Sequence, residues 1–185
     1  MTDLIYDKAL KASTFVGTVA GGSGITIPIY TSTSPTFALW NPAGSNKLVV
    51  PVSLSIGVEA TATAVIATLG FGQVLTTGAS AATAAPIAAW TDGSVWNGRV
   101  GRTGGNYGRL GVATTTLTTA ANFFYSLGLS QATTALAPGL INLTHVFNDA
   151  LILEPGTMVH LVGNPAAPAE AMTPSIVWYE VPYQP

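Results

Sequence analysis

The stretch LVVPVSLSIGVE, residues 48–59, constrains the fold of this chain more than any other segment. Leu48, Val50, Val52, Leu54, Ile56 and Val58 alternate with Val49, Pro51, Ser53, Ser55, Gly57 and Glu59, so a period of two places the first set on one face. That pattern predicts a strand with one buried side. Pro51 has no N–H to give to a ladder, so the strand either lies at a sheet edge or carries a bulge there.

Other segments extend the theme. WNPAGSNK, residues 40–47, supplies turn chemistry before the strand, and ATATAVIATLGFGQVL, residues 60–75, is small or apolar on both faces, as in a strand covered on both sides or used at a subunit contact. Residues 76–89 are small and low in complexity and read as a long loop. Asp92-Gly93 reads as a turn, and the glycines between 98 and 111 argue against helix. Strand character returns in VATTTLTT, NFFYSLGLS and LINLTHVFN. In NDALILEPGTMVHLVGN, residues 148–164, Pro155-Gly156 suits the centre of a type II turn and predicts a closing hairpin, with Met158, His160 and Val162 on one face. Short strands separated by frequent turns predict an all-β, antiparallel β-sandwich or barrel.

A chain of 185 residues suits one compact domain. VAGGSG, residues 19–24, is linker-like, so residues 1–24 are expected to form an extended N-terminal arm, with a short helix allowed over 3–12, and residues 25–185 a single β-sandwich domain.

Charged residues make up 8% of the chain, against roughly 25% in ordinary soluble domains. Such a surface generates little repulsion between copies and suits a protein that packs against itself or a larger assembly. The net charge of −2 offers no basic field for nucleic acid. No apolar run of about 18 residues suggests a membrane-spanning helix, and Asp3 and Asp7 stand where a secretory signal would be basic and apolar. The absence of cysteine excludes disulfides and thiolate metal sites.

Chemistry finds few places to sit. Arg99, Arg102 and Arg109 lie in a glycine-rich segment without the lysine and strand-to-helix context of a phosphate loop; they either pair with carboxylates of a partner protein or belong to a solvated loop with no dedicated partner. Trp40, Trp90, Trp96 and Tyr107 lie in or beside loops, where large rings either anchor the loops or bury at an interface, or else stack on a sugar. His145 and His160 lack metal-ligand spacing, no nucleophile elbow accompanies the serines, and Glu154, Glu170 and Glu180 form no recognisable acid pair. The expectation is therefore a non-enzymatic protein without metal or cofactor, with His160 a packing residue and candidate oligomer contact near a symmetry axis.

Residues 145–183, HVFNDALILEPGTMVHLVGNPAAPAEAMTPSIVWYEVPY, resemble the closing segment of jelly-roll modules of the TNF/C1q-like sort in tailed-bacteriophage virion proteins, and ALWNPAGSNKLVVPVSLSIGV resembles their opening core strand. The resemblance implies a jelly-roll-like sandwich forming a homotrimer. It also implies a capsid decoration (cement) protein, made in the host cytoplasm, that binds the major capsid protein on the virion surface and stabilises the head. The alternative it leaves is a head- or tail-fibre or spike domain whose aromatic loops touch a host glycan.

Overall fold

The computed structural model describes residues 13–19, 24–58, 68–73, 87–99, 105–112, 115–130, 141–167 and 171–184. Among these, thirteen strands and no helix occur. They are β1 (Thr14–Thr18), β2 (Ile25–Thr26), β3 (Phe37–Trp40), β4 (Lys47–Val58), β5 (Thr68–Gln73), β6 (Ile87–Ala89), β7 (Ser94–Asn97), β8 (Arg109–Val112), β9 (Thr116–Leu117), β10 (Asn122–Ser130), β11 (Ile141–Val146), β12 (Met158–Asn164) and β13 (Ala171–Pro182).

The first sheet has the order β11-β4-β13-β1-β7 with β2 on β13, the second has the order β10-β5-β12-β3-β8, and β6 and β9 form a small ribbon. All strand pairs are antiparallel. The two large sheets pack as a jelly-roll-like sandwich, because each carries an apolar face that only the other can cover. Phe15, Val49, Leu54, Ile56, Ile176 and Trp178 of the first sheet meet Leu39, Leu69, Phe71, Val159 and Leu161 of the second in one core. Each large side chain buried there contributes about 1.5–3 kcal/mol relative to exposure.

The alternation in β4 reverses partway along. Val177 pairs with Ser53 but Trp178 pairs with Pro51, so Val52 is an extra residue and Pro51 sits at a bulge inside the sheet rather than at an edge. Leu54 and Ile56 face the core as expected, whereas before the bulge Val49 does so. Val50 turns instead to the other face, beside Tyr179 and Thr14. The expected single face of Leu48 through Val58 is thus split in two, because one inserted residue inverts a period of two.

Four other expectations change. Residues 1–24 do not form an arm throughout: β1 is an inner strand between β13 and β7, and Phe15 is buried against Trp178 with ring centroids 5.8 Å apart. Residues 1–12 lie outside the described residues. Asp92 is not a turn position but bridges to Gly111, and β6 begins within the segment read as a loop. Finally, Pro155-Gly156 makes the expected turn, with Gly156 at φ 88° and the Thr157 N–H donating to the Glu154 carbonyl at 3.0 Å, yet it is not a hairpin. Leu153 before it exchanges two hydrogen bonds with Val49 in the first sheet, while β12 after it enters the second. Buried Asn41 fixes this crossover by donating its amide to the carbonyls of Lys47 and Leu153 at 2.7 and 2.8 Å.

Candidate functional site

Arg109 and Trp90 come together, but with residues of their own chain. The Arg109 fork donates to Asp92 through Nε at 3.0 Å and Nη2 at 2.7 Å, and the Trp90 indole N–H donates to the same carboxylate at 3.0 Å. The guanidinium also lies 5.4 Å from the Trp40 ring centre and 5.7 Å from that of Trp90. Hydrogen bonding from Arg109 holds the Asp92 carboxyl below its usual range. Trp90 lies so close over Gly111 that a Cβ there would approach its ring to 2.7 Å. The pair anchors residues 90–92 onto the second sheet. Sequence reasoning missed Asp92 as the acceptor, because its spacing from Arg109 matches no local rule.

Arg102 lies outside the described residues, and Arg99 occupies an exposed position where its N–H donates to Asn97 Oδ1 at 2.9 Å. Tyr107 and Trp96 are the outward-facing aromatics of the candidate set, 50% and 47% exposed. Tyr107 is held from behind by Glu180, whose carboxylate accepts the backbone N–H groups of Tyr107 at 2.9 Å and Gly108 at 2.8 Å, together with the Trp178 indole N–H at 3.2 Å. Glu180 is 5% exposed, and burial raises its pKa although these three donors oppose the shift.

His160 is fully buried within the chain. It lies on the face of β12 that carries Met158, and its Nε2 is 3.4 Å from where a Cβ on Gly72 would stand. Neither ring nitrogen has a hydrogen-bond partner of good geometry. Burial lowers its pKa to about 4, with the Leu161 backbone only partly opposing. The sequence correctly grouped Met158, His160 and Val162 on one face, but a side chain with no accessible surface makes no direct contact with another subunit. The β6-β9 ribbon and residues 115–121, absent from that reasoning, account for the difference: Leu117 and Ala121 join Ala38 and Met158 in a second apolar cluster.

His145 meets the Tyr125 hydroxyl at 3.1 Å, and Asp149 accepts the Tyr179 hydroxyl at 3.1 Å. Among the described residues no group of three His, Asp or Glu side chains could hold a metal ion. A cavity of about 340 Å³ opens beside Phe124 and Ile152, between the end of β5 and the crossover.

The outer face of the first sheet is an organised surface spanning five strands. With Phe15, Val95, Leu143, Leu54, Ile56, Ile176 and Trp178 directed at the core, alternation directs their neighbours outward. Register then aligns one row across all five strands of the sheet path, Val146–Ser53–Val177–Val16–Trp96, and beside it a second, Thr144–Ser55–Ser175–Thr18–Ser94. Gly57 and Thr173 continue it. No charged side chain stands in either row, and the nearby carboxylate of Asp149 is at the rim, on Tyr179. Val146 and Trp96 at the two ends are 53% and 47% exposed. No protein-family model, curated protein or solved structure matches the chain.

Proposed function

We propose that this protein is a virion structural protein, a decoration protein that adds to the outside of an assembled bacteriophage head and stabilises it. In this reading it is made in the host cytoplasm, acts as a homo-oligomer, trimeric as the resemblance implies, and lies against the major capsid protein. The observation that carries the reading is the charge-free outer face of the first sheet, a two-row surface of Val, Ser, Thr and one Trp spanning five strands. A surface of this kind is poorly repelled by its neighbours and suits dense packing of many copies. A ligand that binds only the assembled shell shifts the balance toward assembly, and many weak contacts in an array give a strong total.

The test is to heat or salt-stress heads with and without the protein and count intact particles. Higher survival in its presence is expected; equal survival sinks the reading. With β1 inside the sandwich, the segment to delete in probing shell binding is residues 1–12, since a cut to residue 24 removes an inner strand. Tyr107 and Trp96, both half-exposed, favour the second reading, a fibre or spike domain with a glycan ligand. Binding of the isolated protein on a glycan array, lost in Tyr107→Ala, would replace the first reading with that one.

A further inference from the structure

The two uncharged rows point to a specific occupant. We infer that the outer face of the first sheet binds the same face of a second copy of this chain, in an isologous contact centred on β13. In such a contact each residue meets its counterpart's surroundings and the reverse, so a charge on the face is brought toward the same charge on the partner. Close to the two-fold axis of a self-pairing surface a side chain meets its own copy, so charge there is disfavoured, and a face with none at its ten aligned positions suits such pairing. Only 14 of 185 residues are charged, 6 basic and 8 acidic, so low charge is general in this chain. What singles out this face is continuity: Val, Ser, Thr and one Trp occupy ten aligned positions on five neighbouring strands.

The chemistry across the contact is self-matching as well. The row from Val146 to Trp96 gives apolar area, with the Ser53 hydroxyl able to accept and the Trp96 indole N–H able to donate, and the row from Thr144 to Ser94 gives hydroxyls that both donate and accept. Five strands about 4.8 Å apart and two side-chain rows about 6.8 Å apart make a face of about 330 Å², so two copies bury about 650 Å² in total. That falls below the roughly 1,200–2,000 Å² of a stable free-standing interface, which makes this a weak contact that gains strength when copies are held in an array. The inference supplies one contact for the proposed shell role, and its solution test does not depend on a shell.

Ser175 is the position to change: β13 is the middle strand of the five and Ser175 the middle of its row. In sedimentation equilibrium up to about 1 mM protein, the wild-type mass should rise with concentration toward twice that of Ser175→Lys, whose apparent Kd should be about tenfold weaker or more. Ser175→Glu should fail to self-associate in the same way. An equimolar mixture of the Lys and Glu variants should associate again, and that recovery should weaken with salt. Ile152→Lys, which places a charge on another exposed apolar residue, should associate like wild type, and circular dichroism should find every variant folded. A wild-type mass independent of concentration, unimpaired association of Ser175→Lys, or no recovery in the mixture would each overturn the contact. Failure of Ser175→Lys to associate while it still protects heads keeps the contact and separates it from the shell role; heads unprotected by a self-associating wild type sink the shell role alone.

Discussion

Glu180 on the first sheet and His160 on the second are both buried ionisable side chains, and the fold treats them in opposite ways. Glu180 is a hub whose carboxylate accepts three N–H groups and so ties Tyr107 and Gly108 to β13. His160 has no hydrogen-bond partner for either nitrogen and fills space beside Gly72 as a neutral ring. Burial drives both toward the uncharged form, raising the Glu180 pKa and lowering that of His160 to about 4. The difference teaches that the cost of burying a polar group depends on its partners: one is compensated by donors, the other by neutrality alone.

Glu180→Leu gives the largest expected effect. It leaves the N–H groups of Tyr107, Gly108 and Trp178 facing an apolar side chain, which should cost about 3–5 kcal/mol and lower Tm by about 10–15 °C. Glu180→Gln keeps one acceptor oxygen and should cost less than half of that. If thermal unfolding finds Glu180→Leu no less stable than His160→Leu, the contrast between hub and filler fails.

Acid titration is next in size. The folded His160 pKa of about 4 lies below its ordinary 6.5, so between those values the unfolded chain takes up a proton that the folded chain does not. Stability should therefore fall as pH drops from about 6.5 to 4, by up to about 3 kcal/mol. Glu180 has the opposite sign. Its raised folded pKa means its contribution is fully present below the ordinary value of 4.5 and is lost as pH rises through the folded value. Denaturant melts across pH 4–7 in His160→Leu should lose the acid-side fall, and an unchanged slope would show that His160 is not its source.

At pH 7, His160→Leu itself should be neutral or stabilising by about 1 kcal/mol, since it removes two unpaired nitrogens at similar volume. A loss above about 2 kcal/mol would mean that the ring has a partner after all.

How far each of these was legible in the sequence follows from the range of the interactions. Alternation in residues 48–59 and the Pro155-Gly156 turn are local, so strand, turn and the face shared by Met158, His160 and Val162 were all readable. Pro51 signalled an edge or a bulge, and only the pairing of Trp178 decided for the bulge. The same turn geometry serves a hairpin or a crossover, and what distinguishes them is the bond from Leu153 to Val49, over a hundred residues away. The linker-like VAGGSG suggested an arm where Phe15 in TFVGT was in fact a core residue of β1. The anchoring role of Glu180 escaped notice because its backbone donors, 72 and 73 residues earlier, leave no side-chain signature. Likewise Ser53 and Ser55 read as one polar face of one strand, while the five-strand rows they join depend on register that no single segment encodes.

Asp92 and Arg109 provide the third and smallest case, a charge pair that is well matched but exposed. Their geometry is bidentate, yet the side chains are 60% and 39% exposed, so water already solvates both charges and screens their attraction. A double-mutant cycle of Asp92→Asn and Arg109→Gln should give a coupling of about 0.5–1 kcal/mol, decreasing with salt. Arg109 also lies against Trp40 and Trp90, and Trp90 donates to Asp92, so each single change should cost more than the coupling. A coupling as large as the loss in Glu180→Leu would mean that an exposed pair can equal a buried hub, and partner number rather than burial would then set the scale in this fold.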